Sequence, residues 1–444
     1  MKHAVIFAFA LFVMTGGSAK SQNGMVGPFV ALGDSIGEGV QSADASVRTQ
    51  TANFANLIAK QLGVSFPLPS INTSPTAIIF STEKRTRISP NLSALNLAVS
   101  GATIHDLLNN RFAPPVDTET DLVLMPRTGS QMEIAEQLRA SFYAIWVGSN
   151  DVDDAVLDWQ HLNASQMTDV ASFTADYTNM IDRLKALHTK VVVGTIPDVT
   201  QTAFVVTPQD LILFLGSDFG LPQGSYTSLP EMLLLKLGLD DGTLLQDPNY
   251  VLDPQEIVAI RTRAQELNQV ITQTASAAGM GVVDVYGIFL SHIRNPPIFY
   301  GKPLNFRFLG GLLSMDGFHP SNIGHALAAN AFIATANAQY GMQIPQISQD
   351  ALNQIAAADP FIDWNGNLAV RGRPLAGMVE TLGPFLGISG DFSDGPGSAR
   401  VRPSSGIDKQ LGEAFKQQYL LLKGRPASTP WTRQDAIAAM NDLF

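Results

Sequence analysis

The alternation of buried strands and helices between about residues 28 and 340 limits this chain to one class of fold. Short apolar runs, rich in branched and aromatic residues, alternate with longer segments whose apolar residues recur at helical spacing. The predicted strands are residues 29–33, 94–99, 142–147, 190–196 and 280–285. Strands and helices that alternate along a chain form a parallel sheet with helices on both faces. We therefore predict a three-layer α/β/α sandwich with a mainly parallel central sheet.

Glycine and polar residues follow three of these strands at their carboxyl ends. The motifs are Gly33-Asp34-Ser35, Ser100-Gly101-Ala102 and Gly148-Ser149-Asn150-Asp151. Ligands of open α/β sheets bind at the carboxyl ends of the strands, so we expect the three motifs to border one cleft. A serine there becomes a nucleophile when a neighbouring base takes its proton. A structural role stays open for the other two motifs, because glycine permits tight turns and asparagine caps helices.

The candidate base lies almost three hundred residues further along the chain. The segment Asp316-Gly317-Phe318-His319-Pro320 stands directly before a helix that is predicted over residues 321–340. Asp316 and His319 are three positions apart, so both side chains can face one cavity from a single turn. A histidine in this place can take the proton of Ser35 and return it to a leaving alcohol.

In this order, the four motifs resemble the four blocks of the SGNH (GDSL-type) esterase and lipase family. The resemblance implies a Ser–His–Asp hydrolase in which Ser35 is the nucleophile, His319 is the base and Asp316 orients the imidazole. It also implies an oxyanion hole that is formed by the N–H of Ser35, the N–H of Gly101 and the side chain of Asn150. Donors fixed before the reaction are what a tetrahedral oxyanion requires.

The resemblance covers about residues 28–340 and is strict only at the four blocks. Ser35 does not lie in a Gly-x-Ser-x-Gly elbow, which argues against the α/β-hydrolase fold. The segment Ile196-Pro197-Asp198-Val199 resembles larger, lecithinase-like members and favours lipid or acyl-ester substrates. Two alternatives stay open: a carbohydrate O-acyl or acetyl esterase of the same mechanism, and a non-catalytic surface or binding protein on the same scaffold.

Two irregular segments interrupt the alternating pattern, at about residues 200–252 and 289–314. Apolar runs in the first segment either line an acyl-binding groove or form a small local core. The hydrolase-type domain is expected to span residues 28–345. Residues 359–444 are rich in glycine and proline and are expected to form an appendage of unknown role, with helices near 411–422 and 433–444. The appendage is expected either to pack on the core or to lie over the cleft.

The first nineteen residues have the pattern of a cleavable signal peptide. A short basic start precedes the apolar run Ala4 to Met14, and Gly17 and Ala19 supply the small residues of a cleavage site. This run is shorter than the roughly 20 residues that span a bilayer. The chain is therefore expected to be secreted or periplasmic.

No cofactor and no metal are expected. The chain contains no cysteine, which excludes disulfides, thiolate nucleophiles and cysteine-ligated metals. The histidine spacings match no metal motif. His105 and His325 are interpreted as structural, and His161, His188 and His292 show no ligand spacing. The formal net charge of −11 argues against a nucleic-acid partner. The expected partner is a small-molecule or lipid ester, while transient contact with a lipid surface and the oligomeric state stay open.

Overall fold

A computed structural model describes residues 27–42, 44–72, 85–366, 412–413, 416–417, 419–421 and 423–441. The predicted signal peptide, residues 1–19, lies outside the described residues. So does most of the predicted appendage, including part of its helix near 411–422 and the last three residues of its helix near 433–444.

Four parallel strands form the central sheet. Within the described residues the strands are β1 (Phe29–Gly33), β2 (Ile71–Asn72), β3 (Thr86–Arg87), β4 (Phe142–Trp146), β5 (Lys190–Gly194), β6 (Val205–Val206), β7 (Thr227–Ser228), β8 (Gly281–Val283), β9 (Ile298–Phe299) and β10 (Lys302–Pro303). The sheet order is β1-β4-β5-β8, and every neighbouring pair is parallel. The pairs β2/β3, β6/β7 and β9/β10 are antiparallel ribbons. The predicted parallel sheet is confirmed.

Helices cover both faces of this sheet. They are α1 (Ser35–Glu38), α2 (Val47–Gln50), α3 (Phe54–Leu62), α4 (Ile104–Asn109), α5 (Glu119–Leu124), α6 (Gln131–Leu138), α7 (Asn150–Leu157), α8 (Val170–Ala186), α9 (Pro208–Leu215), α10 (Leu229–Leu237), α11 (Pro254–Ala277), α12 (Val285–Arg294), α13 (Asn322–Tyr340), α14 (Gln349–Ala358) and α15 (Arg433–Asn441). Short 3₁₀ helices are Ala164–Gln166, Val199–Gln201, Leu244–Gln246 and Pro248–Tyr250.

The hydrophobic core is divided by the sheet into two clusters. Side chains alternate between the faces of a strand. Accordingly, Val30 and Leu32 pack with α4, α6, α8 and α11, whereas Phe29 and Ala31 pack on the other side with α3, α13 and α14. Each helical layer thus covers one apolar face of the sheet, and the predicted three layers are confirmed.

The predicted strand at residues 94–99 is only partly regular. It runs beside β1, where the N–H of Ala31 donates to the carbonyl of Leu95 at 3.0 Å and the N–H of Leu97 donates to Ala31 at 2.9 Å. A regular bridge forms at Asn96 alone. The side chain of Asn96 accepts from the N–H of Ala98 and donates to the carbonyl of Gly37. These side-chain hydrogen bonds compete with a regular ladder.

Both segments that were expected to be irregular contain regular elements. Helix α12 lies largely within residues 289–314, and Asp284 caps it by accepting from the N–H of Gly287 at 2.9 Å. Residues 200–252 contain α9, α10 and the β6/β7 ribbon. The apolar run from Met232 to Leu235 is buried in the core, as the local-core interpretation requires.

The packed unit extends beyond residue 345. Helix α14 packs on α13, and the carboxylate of Asp359 accepts from the N–H of Ile323 at 2.8 Å. Ile362 is buried in the same core cluster as α13. Residues 359–363, the first residues of the expected appendage, therefore pack on the core. Further along the chain, α15 packs on α10. In the part of the chain that the structure describes, no helix has both the length and the apolar character needed to cross a membrane.

Candidate active site

Ser35 lies at a sharp turn where β1 ends. A side chain at Gly33 would collide with the carbonyl oxygen of Trp146, so only glycine fits at this point. Asp34 caps the one-turn helix α1 by accepting from the N–H of Ile36 at 3.0 Å. Ser35 is the first residue of that helix. The turn therefore places the hydroxyl at the carboxyl edge of the sheet, as the sequence predicts.

The structure joins Ser35, His319 and Asp316 in one chain of hydrogen bonds. Nε2 of His319 lies 2.8 Å from Oγ of Ser35, and Nδ1 of His319 lies 2.8 Å from Oδ2 of Asp316. The side chain of His319 is mostly buried, and that of Asp316 is almost fully buried. A base in this position is within reach of the serine proton, while its other nitrogen faces a carboxylate.

Asp316 is held as a carboxylate. Burial alone would raise its pKa, but the charge and hydrogen bond of His319 lower the pKa to about 2 together with backbone donors. Those donors are the N–H groups of Phe318 at 3.0 Å and His319 at 2.9 Å, and Ser314 Oγ lies 3.0 Å from the same oxygen. Several donors to a carboxylate favour its ionised form.

A pair of serines that the sequence did not single out ties the His319 loop to the loop after the nucleophile. The N–H of Ser42 donates to Oγ of Ser314 at 2.9 Å, and the N–H of Met315 donates to Oγ of Ser42 at 3.0 Å. The two loops are more than 270 residues apart along the chain. Spacing along the sequence gives no signal for such a contact.

Gly101 and Asn150 follow the two segments that flank β1, residues 94–99 on one side and β4 on the other. Gly101 has φ +77°, and a Cβ built on it meets no atom within 4 Å, so the space above its backbone is open. Asn150 begins α7, and its Nδ2 donates to the carbonyl of Ala102 at 3.1 Å. Within the described residues, the N–H groups of Ser35 and Gly101 donate to no acceptor. These groups are therefore free to bind a developing oxyanion.

Sequence comparison identifies the family. A model described as GDSL-like Lipase/Acylhydrolase matches residues 29–332, which is more than half of the chain. The chain belongs to the GDSL-like lipase/acylhydrolase family. In general terms it is therefore an ester hydrolase. A search of curated proteins finds no match.

Solved structures that resemble this GDSL-like protein are distant. A lipase/acylhydrolase from Enterococcus faecalis is 15% identical, with 72% of this chain and 98% of that chain covered and a TM-score of 0.33. An acetylxylan esterase from Geobacillus stearothermophilus is 15% identical, with 71% and 96% covered and a TM-score of 0.35. At these TM-scores the two likenesses carry no argument about substrate.

A glutamate connects the nucleophile turn to the Gly101 loop of this GDSL-like protein. Glu38, at the end of α1, is fully buried and accepts from both the N–H and the hydroxyl of Ser100. Burial and the neighbouring Glu119 raise the pKa of Glu38 well above its usual value, and Arg85 opposes this shift. No motif in the sequence marks Glu38, although its place three residues after Ser35 on one helical turn was a usable signal.

Three buried carboxyl groups lie beneath the nucleophile turn. Burial raises the pKa of Asp34 to about 7 and that of Asp151 to about 6. The pKa of Asp153 is also raised well above its usual value, by burial first and then by the charge of Asp34. Asp151 accepts from the N–H of Ile104 at 3.0 Å and so joins α7 to α4. The raised pKa values mean that these carboxyl groups bind protons at a higher pH than exposed carboxyl groups do.

His319 is the histidine that contacts Ser35, and the other histidines of the described ranges have different surroundings. His105 is exposed on α4, with Nδ1 at 3.0 Å from Asp176, and His161 lies near Asp158. His325 is buried on α13, where burial lowers its pKa to about 3. His292 lines a cavity that is described below. No group of three or more His, Asp and Glu side chains in the described ranges has the geometry to hold a metal ion.

Proposed function

We propose that this GDSL-like protein is an exported serine hydrolase that cleaves carboxylic esters through an acyl-enzyme on Ser35. The observation that carries the proposal is the hydrogen-bonded chain from Ser35 through His319 to Asp316, with both distances at 2.8 Å. An ionised Asp316 holds the imidazole in place and stabilises its charged form during proton transfer.

The reaction has two half-reactions. His319 takes the proton of Ser35 as Oγ attacks the ester carbonyl, and the resulting oxyanion accepts hydrogen bonds from Ser35 N–H, Gly101 N–H and Asn150 Nδ2. The intermediate collapses as His319 gives the proton to the leaving alcohol. Water, deprotonated by His319, then attacks the acyl-enzyme and releases the carboxylic acid and the free serine.

Two substitutions test the proposal. Ser35→Ala removes the nucleophile and His319→Ala removes the base, and each is expected to lower kcat for p-nitrophenyl butyrate by at least about 10⁴-fold. Ser89→Ala and His105→Ala are the matched controls, because they replace exposed residues of the same two types. Each should keep kcat within about twofold of the wild-type value, since substitutions at exposed positions usually have small effects. Turnover of Ser35→Ala at the wild-type rate would exclude the mechanism.

A covalent probe separates an esterase from a binding protein on the same scaffold. A fluorophosphonate reacts with an activated serine, so wild-type protein should be labelled on Ser35 and the Ser35→Ala variant should not. Unlabelled, folded wild-type protein would favour the non-catalytic alternative.

Export is supported by the N-terminal pattern of basic, apolar and small residues in residues 1–19. The full-length chain, expressed in a host with a general secretion pathway, is expected in the periplasm or the medium with its first residue at Lys20. N-terminal sequencing of the fractionated protein checks this. A cytoplasmic protein that still begins at Met1 would refute export.

Contact with a lipid surface is supported by a group of exposed apolar side chains on α12 and the ribbon after it. Their exposed fractions are 37% for Ile288, 41% for Ile293, 64% for Ile298 and 56% for Tyr300. Exposed apolar side chains such as these can insert into the boundary between lipid headgroups and acyl chains. Co-sedimentation with neutral phospholipid vesicles should fall when Ile298 and Tyr300 are both replaced by serine. Equal sedimentation of both proteins would rule out this surface.

A further inference from the structure

A cavity lies between two helices on one side of the nucleophile turn. The residues that α12 presents to it are Val285, Ile288, Phe289 and His292, and those that α13 presents are Gly324, Leu327, Ala328 and Ala331. Each set follows the spacing i, i+3, i+4, i+7, which is a single face of a helix. Both helices therefore turn one continuous, mainly apolar face toward the same space.

The space remains open because the residues of one face are small. Gly324, Ala328 and Ala331 carry little or no side chain on the α13 face. The enclosed part of the cavity has a volume of about 90 Å³, well above the roughly 10–15 Å³ that a single water molecule needs. Protein interiors are otherwise close-packed, and an empty apolar cavity is destabilising. A space of this size is thus a feature that folding alone does not require.

Among the residues that the structure describes, no charged side chain lines the cavity. Its titratable member is His292, whose pKa is lowered by burial and whose ring stacks against Phe306 with 6.5 Å between the centroids. A neutral imidazole adds no charge at neutral pH. An ionic or sugar-like ligand would lose its hydration here without gaining polar partners. A hydrocarbon chain has no polar hydration to lose, and its transfer from water into the cavity is favourable.

Residues that adjoin Ser35 and His319 in the chain line the cavity. Ile36, which lines it, directly follows Ser35, and Phe318 and Pro320, which also line it, flank His319 on both sides. The ring of Phe318 lies edge-on to His319, with 5.5 Å between the centroids. At the outer end, Ile288 lines the cavity and is itself partly exposed to solvent. A chain in the cavity would therefore run from the Ser35 turn toward the surface at α12.

We propose that this cavity binds the apolar acyl chain of the ester that Ser35 cleaves. The inference rests on the proposed function and assigns the substrate class: esters of medium or long fatty acids rather than acetyl esters of carbohydrates. The apolar run of residues 232–235, which was a candidate for this role, is buried in the core instead.

A chain-length series tests the cavity with the wild-type protein. kcat/KM for p-nitrophenyl esters should rise from acetate to decanoate by up to roughly fourfold for each methylene that enters the cavity. Ala328→Phe and Ala331→Phe fill the space, so each should lower the decanoate-to-acetate ratio of kcat/KM at least about tenfold. Ala334→Phe is the matched control, because Ala334 is exposed on the same helix and should keep the wild-type ratio.

The outcomes distinguish the cavity from the catalytic proposal. An unchanged decanoate-to-acetate ratio in both filling variants, with folding verified by circular dichroism, overturns the cavity assignment and leaves the esterase intact. A binding experiment tests the cavity without turnover: decanoate is titrated into the Ser35→Ala protein and its binding is measured by calorimetry. Loss of decanoate binding when Ala328→Phe is added, with binding kept when Ala334→Phe is added, supports the cavity even if no ester is hydrolysed. Equal binding by all of these proteins refutes it.

Discussion

Glu38 accepts two hydrogen bonds from Ser100, one from its N–H at 2.8 Å and one from its hydroxyl at 2.6 Å. Glu38 ends the helical turn that begins with Ser35, and Ser100 precedes Gly101. The contact therefore fixes the proposed nucleophile and a proposed oxyanion donor relative to one another. Preorganised donors of this kind are what an oxyanion site depends on.

We expect Glu38→Ala and Glu38→Gln to differ in kcat. The raised pKa of Glu38 means that its protonated form is favoured, and glutamine has nearly the same shape and can still accept from Ser100. Glu38→Ala should lower kcat by about tenfold with little change in KM, because a mispositioned Gly101 affects the transition state. Glu38→Gln should recover most of that loss. If both variants lose kcat equally, Glu38 is not a positioning residue.

Asn150→Ala should lower kcat for p-nitrophenyl butyrate by about 10²–10³-fold, because it removes one oxyanion donor. KM should change much less, since the charge on the carbonyl oxygen develops only in the transition state. Asn109→Ala, an exposed asparagine on α4, is the matched control and should behave as wild type. A change confined to KM would assign Asn150 to substrate binding instead.

Asp316→Asn should reduce kcat by about 10⁴-fold while leaving the loop geometry largely intact. Because the pKa of Asp316 is lowered to about 2, its carboxylate contributes stability that is present above about pH 4 and lost as pH falls toward 2. Urea unfolding at pH 7 and pH 3 should therefore show a smaller stability difference between wild type and Asp316→Asn at the lower pH. A constant difference would contradict the lowered pKa.

Asp34→Asn should stabilise the protein at alkaline pH. The pKa of Asp34 is raised to about 7 by burial, so the folded state binds a proton that the unfolded state releases near pH 4. Stability from this group is present below about pH 4 and is lost as pH rises through 7, by at most about 4 kcal/mol. Urea unfolding of both proteins at pH 5 and pH 8 checks the sign: the gain of the variant should be larger at pH 8.

Much of the fold was predictable because its signals are local. The strands at 29–33, 142–146 and 190–194 are runs of branched and aromatic residues. Asp253 and Glu256 form the expected capping box at the start of α11, with Asp253 N–H donating to Glu256 at 3.0 Å. Each such signal involves residues that are neighbours in the chain. The strand at 94–99 was predicted too regular, because the side-chain hydrogen bonds of Asn96 do not show in an apolar pattern.

The identities of the candidate site residues followed from the sequence alone. Glycine and polar residues at the ends of strands must lie at one edge of a parallel sheet, so Ser35, Gly101 and Asn150 were expected to be near one another. His319 and Asp316 were recognisable by their spacing and by the family that the motifs resemble. These inferences need the topology of the sheet, the spacing of the motifs and the family resemblance, but no side-chain positions.

Contacts between segments that are distant in the chain were decided by the tertiary structure alone. The 2.8 Å contact of Ser35 with His319 joins groups 284 residues apart, and the contact of Glu38 with Ser100 spans 62. The cavity likewise forms only because the apolar faces of α12 and α13 are opposed. The periodicity of a helix shows which of its faces is apolar but not which helix packs against that face. Sequence patterns report which face of an element is apolar. The partner of that face depends on how distant segments pack, which is a property of the whole folded chain.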